Sequence, residues 1–334
     1  ANAQLTADYL TEVAFGTVSN YGIDTVFGRN PGVDTRSAPE DAWNGAGDYT
    51  GHDATGNENL ETFSGSANDT GTLVSSGTAT GGSSTTLIDN TATFQTDGVA
   101  AGDVLLNDSN GTHGYITAVD SETQVTVLRM IDGEIGSIPN VSGNTYRIAT
   151  TNGTGAAVVR WERILDEDFA VQTPVYVIMN GATGVTTTGN FYRLTKGKVI
   201  LAGTGGENAG DITARQAVTT ANVFAKMPSG FNATTIGAYT VPVGKNIIIR
   251  RIRVAITRAN GNAGSATMSL RARPSGGAYF AARVFELPTG GPVNFTQLGG
   301  DPFGPGTDLK FRVDDVSDNN TIAEAAFEFV SIDL

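Results

Sequence analysis

The 334-residue chain has no cysteine, which excludes disulfides and thiol chemistry. It has two histidines, His52 and His113, too few for a histidine-rich metal site. No apolar run approaches the roughly 20 residues that cross a bilayer as a helix. The stretch ANAQLTADYLTEVAF at the N-terminus lacks a basic region followed by an apolar core, so it does not read as a secretory signal. Charged residues make up only 16% of the chain, and helix-type runs rich in Ala, Leu, Glu and Lys are missing. The most unusual absence is local. Residues 212–285 contain no Asp or Glu, yet they hold ten of the 21 basic residues: Arg215, Lys226, Lys245, Arg250, Arg251, Arg253, Arg258, Arg271, Arg273 and Arg283. A cationic segment thus sits in a chain of net charge -13. The acidic total argues against generalised nucleic-acid binding, and the segregation points to an interaction surface rather than a catalytic site.

What is abundant is Gly (43 residues), with Thr, Asn and Ser, separating many short β-branched runs. That pattern predicts an all-β protein. Its strongest strand is Tyr239–Arg258, introduced by the turn Val241-Pro242-Val243-Gly244. From Ile252 the side chains alternate, with Ile252, Val254 and Ile256 on one face and Arg251, Arg253 and Thr257 on the other, as in a half-buried strand. Ile247-Ile248-Ile249 does not alternate, so this run is either buried on both faces or carries a bulge that resets the register.

Four regions emerge along the chain. Residues 1–55 are turn-rich and sparsely apolar but carry Tyr21, Phe27, Trp43 and Tyr49, and a short amphipathic helix is predicted over Thr6–Phe15. Such a segment reads either as an extended arm docking on something else or as a long loop packed on its own domain. Under the arm reading, deleting residues 1–50 leaves the β domains folded. Residues 56–72 with 151–224 form a central β domain, and 225–334 a C-terminal jelly-roll-like sandwich. Residues 73–150 hold six short β segments between Gly/Ser/Thr/Asn-rich ends, as expected of an inserted small β domain. The expected fold class is therefore all-β, with jelly-roll or β-sandwich domains, an extended N-terminal arm and an inserted small β domain.

The stretches FGRNPGVDTRSAPEDAWNGAGDYTG, GTGAAVVRWERILDEDFAVQTPVYVIMNG and YRLTKGKVILAGTGGENAGDITAR resemble a family of structural proteins of tailed bacteriophage virions. In that family the strand ending SANDTG continues almost directly into GTGA, which supports reading 73–150 as an insertion; the inserted piece itself resembles a β module of many phage proteins. The resemblance implies a non-enzymatic virion protein on the capsid exterior, a decoration or cement protein without cofactor. Its implied partners are the major capsid protein and neighbouring copies of itself, with a trimer as the natural oligomer. A tail or head-fibre adhesin for host-surface glycan is the alternative, although the insertion offers only Phe94, Tyr115 and Tyr146 as platforms.

Other motifs read as structural. Gly203–Gly210 lacks the Lys-Ser/Thr of a phosphate loop and is flanked by strands. Asp166, Glu167 and Asp168 are adjacent on a turn and do not flank a bond from two sides. Asp314, Asp315, Asp318 and Asn319 lack calcium-loop spacing. His52 and His113 read as exposed loop residues without partners. The expected interface comprises Phe27, Arg29, Trp43, Tyr49, Arg251, Arg253, Arg271 and Arg273. Its arginines either meet carboxylates of a partner protein or neutralise acidic segments of this chain, and nucleic acid ranks behind both.

Overall fold

A computed structural model describes residues 20–36, 38–131, 140–258, 264–288, 292–296 and 302–334. The helix expected over Thr6–Phe15 lies outside them. Among the described residues the regular secondary structure is nearly all strand, and the chain divides into two compact units. The first comprises Ala1–Gly56, Leu165–Val171 and Thr235–Leu334; the second comprises Asn57–Ile164 and Gln172–Thr234.

The first unit is a sandwich of two antiparallel sheets. One sheet has the strand order Tyr21–Val33, Thr321–Asp333, Lys245–Arg258, Val293–Thr296. The other runs Ala238–Thr240, Asp308–Val316, Ser265–Arg273, Phe280–Pro288, with the short strand Glu40–Asp41 also paired to Asp308–Val316. Alternate side chains of both sheets share one core, among them Ile252, Val254, Ile256, Phe327 and Phe329 from the first sheet and Met268, Leu270, Phe311 and Val313 from the second. The Ile247–Ile249 question resolves as a bulge. Ile249 faces Phe329 and Arg251 faces Glu328, leaving Arg250 as the extra residue. Without that extra residue in the count, a strict two-residue period would turn Arg251 and Arg253 into the core.

The N-terminal region departs from the expected arm. Residues 21–33 form an edge strand in register with Thr321–Asp333, Phe27 opposite Ala326 and Arg29 opposite Glu324. Val26 and Val33 point into the core. Further on, Trp43 and Tyr49 are almost fully buried within the same unit and stack edge-to-face at 5.4 Å. The Trp43 indole N–H donates to the Gly47 carbonyl at 3.1 Å. A segment that looks too poor in apolar residues to close a core instead borrows one, because its strand partners lie about 290–310 residues further along the chain.

In the second unit, residues 71–151 form one seven-stranded sheet. Its order is Gly71–Thr78, Thr145–Thr151, Val104–Asn107, Thr112–Ser121, Gln124–Val127, Thr86–Ile88, Gly81–Gly82. It has its own core around Leu87, Phe94, Leu105, Ile116, Val125 and Tyr146. The remainder forms a three-stranded sheet (Val175–Ile178, Ala156–Leu165, Arg193–Ala202) and a four-stranded one (Val185–Phe191, Glu58–Ser64, Ile212–Gln216, Val223–Met227). Trp161 is fully buried between them, its indole N–H donating to Thr62 Oγ1 at 3.0 Å.

Candidate protein interface

Four of the eight expected interface residues meet on one surface. Phe27, Arg29, Arg251 and Arg253 all project from the outer face of the four-stranded sheet. Strand register explains why: Phe27 and Arg253 both stand opposite Ala326, on its two sides, while Arg251 stands opposite Glu328. Phe27 and Arg253, with Ala255 and Glu324–Ala326, line a shallow hollow of about 120 Å³. The Phe27 ring is 43% exposed, unusual for a phenylalanine in a strand that has a core to enter.

The other four lie elsewhere in the same unit, two in its interior and two part-buried on the second sheet. Burial of Trp43 and Tyr49 leaves neither available on the surface. Arg271 reaches Asp314 at 3.3 Å, and Arg273 reaches Asp308 at 2.7 Å while its guanidinium lies 4.6 Å from the Tyr279 ring centre. Trp43 and Tyr49 are thus corrected from interface to core, whereas Arg271 and Arg273 stay part-exposed on the other sheet, each held by a carboxylate of its own unit.

The cations of the acid-free segment fall into two groups. Seven of its ten cations are met by carboxylates from outside it: Arg215 by Glu61, Lys226 by Asp211, Lys245 by Asp333, Arg250 by Glu328, Arg258 by Asp318, and Arg271 and Arg273 as above. Arg251, Arg253 and Arg283 are exposed and have no carboxylate partner among the described residues. Two of these three share the face with Phe27. Arg29 is engaged there by Glu324 at 3.3 Å.

Both histidines are buried, contrary to the exposed positions expected. His52 sits in a short 3-10 turn, its Nδ1 2.8 Å from the Tyr279 hydroxyl and its Nε2 3.6 Å from Asp308. His113 lies on the strand Thr112–Ser121 with Nδ1 3.2 Å from the Tyr176 hydroxyl. Burial, with help from the Arg160 and Lys198 charges, pulls His113 down to about 4, so the ring is neutral near pH 7. In the same cluster burial tends to raise Glu162, but Arg160, Lys196 (3.4 Å) and Lys198 (3.2 Å) outweigh it and hold the carboxyl below its usual range. Burial, aided by the Glu162 and Asp108 charges, drives the Tyr176 hydroxyl upward against the pull of Arg160, and it donates to the Gly111 carbonyl at 2.7 Å. Each group has its partner within the fold.

The remaining motifs take their structural roles. Asp166 Oδ1 accepts the N–H groups of Asp168 and Ala170, closing the acidic turn. Asp314 and Asp318 face arginines, and no metal-holding group of three His, Cys, Asp or Glu is present among the described residues. Of the insertion's aromatics, Phe94 and Tyr146 are in its core; Tyr115 is 37% exposed and donates its hydroxyl to the Ile200 carbonyl. A larger hollow of about 540 Å³ in the first unit is walled chiefly by apolar side chains, including Ile249, Ile252, Leu270, Phe280 and Phe303, with Arg283 at its side.

One residue that sequence reasoning passed over organises the second unit. Asp69 is fully buried; its carboxylate accepts the N–H groups of Ala156 (2.6 Å), Ala209 (2.8 Å) and Gly210 (2.9 Å) and the Ser64 hydroxyl. It thereby pins the glycine-rich Gly203–Gly210 connection to both ends of the 71–151 sheet. The only signal in the sequence was an Asp beside the Gly/Ser/Thr/Asn-rich junction, a composition shared with any turn. No protein-family model and no curated protein matches the chain.

Proposed function

We propose that this chain is a non-enzymatic structural protein of a tailed-phage virion that adheres to the capsid exterior and reinforces it. The carrying observation is the outer face of the four-stranded sheet, where Arg251 and Arg253 stand exposed without a carboxylate of their own beside the half-exposed Phe27. An aromatic flanked by free guanidinium groups is the composition of a protein-binding surface with an acidic partner. The partners are the major capsid protein and neighbouring copies of this chain, arranged as a homo-oligomer, which we take to be a trimer. Repetition over a capsid lets individually weak contacts add through multivalency. The resemblance of three sequence stretches to virion structural proteins supports the same reading. It requires no cofactor, nucleic acid or membrane.

Electron microscopy of the phage that carries this chain, with antibody or gold labelling of the protein, tests the location. Label over the head surface, including tail-less heads, is the expected result. Label confined to tails or fibres overturns the capsid reading in favour of attachment to the host.

A further inference from the structure

Asp41 and Lys310 form a deeply buried lysine–carboxylate pair in the first unit. Asp41 lies on the short strand Glu40–Asp41 and Lys310 on the strand Asp308–Val316 to which it pairs. Lys310 Nζ is 2.6 Å from Asp41 Oδ2, and both side chains are more than nine-tenths buried. Tyr279 presents its face to Nζ at 4.8 Å from the ring centre, and Trp43 and Tyr49 follow Asp41 closely in the chain. The Tyr49 backbone N–H donates to Asp41 Oδ2 at 2.6 Å. The other carboxylate oxygen, Oδ1, is buried and has no hydrogen-bond partner among the described residues.

An ammonium–carboxylate pair with one oxygen unsatisfied is an expensive occupant of a protein interior, because desolvation offsets much of its attraction. Transfer of a proton from Nζ to the carboxylate leaves an amine and a carboxylic acid, both neutral, at hydrogen-bonding distance. Burial favours that form on the acid side, raising Asp41 despite the opposing pull of Lys310. A neutral amine held at hydrogen-bonding distance from a neutral carboxyl group, out of water, supplies both reactants for amide formation in one place.

We propose that Asp41 and Lys310 are a modification site at which the folded chain forms an intramolecular isopeptide bond. The Nζ lone pair attacks Asp41 Cγ, forming the C–N bond. Oδ2 has taken one proton from Nζ; it receives a second and departs as water as its C–O bond breaks, held meanwhile by the Tyr49 N–H. Oδ1 stays as the amide carbonyl oxygen, and one hydrogen stays on nitrogen. Ammonium plus carboxylate therefore become amide plus water, with no oxidant, reductant or external co-reactant. The product removes a buried charge pair and covalently ties the N-terminal segment to the strand Asp308–Val316. For a protein that reinforces a shell, such a tie would prevent the N-terminal region from peeling away, but the bond follows from the pair's geometry whatever the partner is.

Intact mass of the purified full-length chain, measured under denaturing conditions after prolonged incubation in the folded state, reads the bond directly. The expected predominant species is lighter than the sequence mass by one water. Proteolysis should give a branched peptide joining the fragment with Asp41 to the fragment with Lys310. Both signatures should vanish in Lys310→Arg and in Asp41→Ala, whose masses are readable whether or not they fold. A wild-type chain of full sequence mass with only linear peptides overturns the proposal, as does loss of water without a 41–310 branch.

Discussion

At the scale of single residues, the buried polar groups carry more of the account than the exposed ones. His113 supplies a pH dependence whose sign is fixed by its environment. Its folded-state pKa is depressed from the ordinary 6.5 to about 4, so its contribution to stability is complete above pH 6.5 and is lost as pH falls towards 4. That window is worth roughly 3 kcal/mol by linkage. Thermal melts of the wild type should therefore fall across it, and those of His113→Gln should fall less; parallel slopes in the two proteins would remove His113 as the cause. Neither this histidine nor Asp69 was legible as a core group in the sequence. Their partners, Tyr176 and the 156 and 209–210 amides, lie 63 or more positions away, beyond any local pattern.

Among the elements, periodic strands were readable and the borrowed ones were not. Ile252, Val254 and Ile256 announced their burial because alternation is a local property, and the Arg250 bulge was one of two explanations for the broken run before it. Residues 21–33 carried no comparable signal. Their hydrogen bonds go to a strand at the far end of the chain, and their burial pattern alternates imperfectly around glycines and polar residues. An N-terminal deletion tests the difference. Removing residues 1–50 strips Val26, Val33, Trp43 and Tyr49 from the first unit, at a cost of about 2–5 kcal/mol for each large side chain lost from a core. Against a domain stability of roughly 5–15 kcal/mol, that unit should unfold while the second keeps its own cooperative transition. Calorimetry showing both transitions intact would restore the detachable arm.

Over the whole molecule, the division of charge decides where a partner can be held. Most cations of the acid-free segment are consumed internally, so the segment is less an outward basic patch than its composition suggests. Composition could not distinguish the two cases, since pairing is a property of register and packing. What survives on the surface is small and specific, Arg251 and Arg253 beside Phe27, and the proposed attachment rests on it. The most direct measurement is co-sedimentation of the purified protein with heads that lack it, comparing the wild type with the exposed-face variant R251E/R253E. Because both side chains are exposed, the variant should fold normally, and reversing two charges at a contact should weaken binding at least about tenfold, or ~1.4 kcal/mol. Undiminished binding by a folded R251E/R253E protein would contradict the assignment of this face.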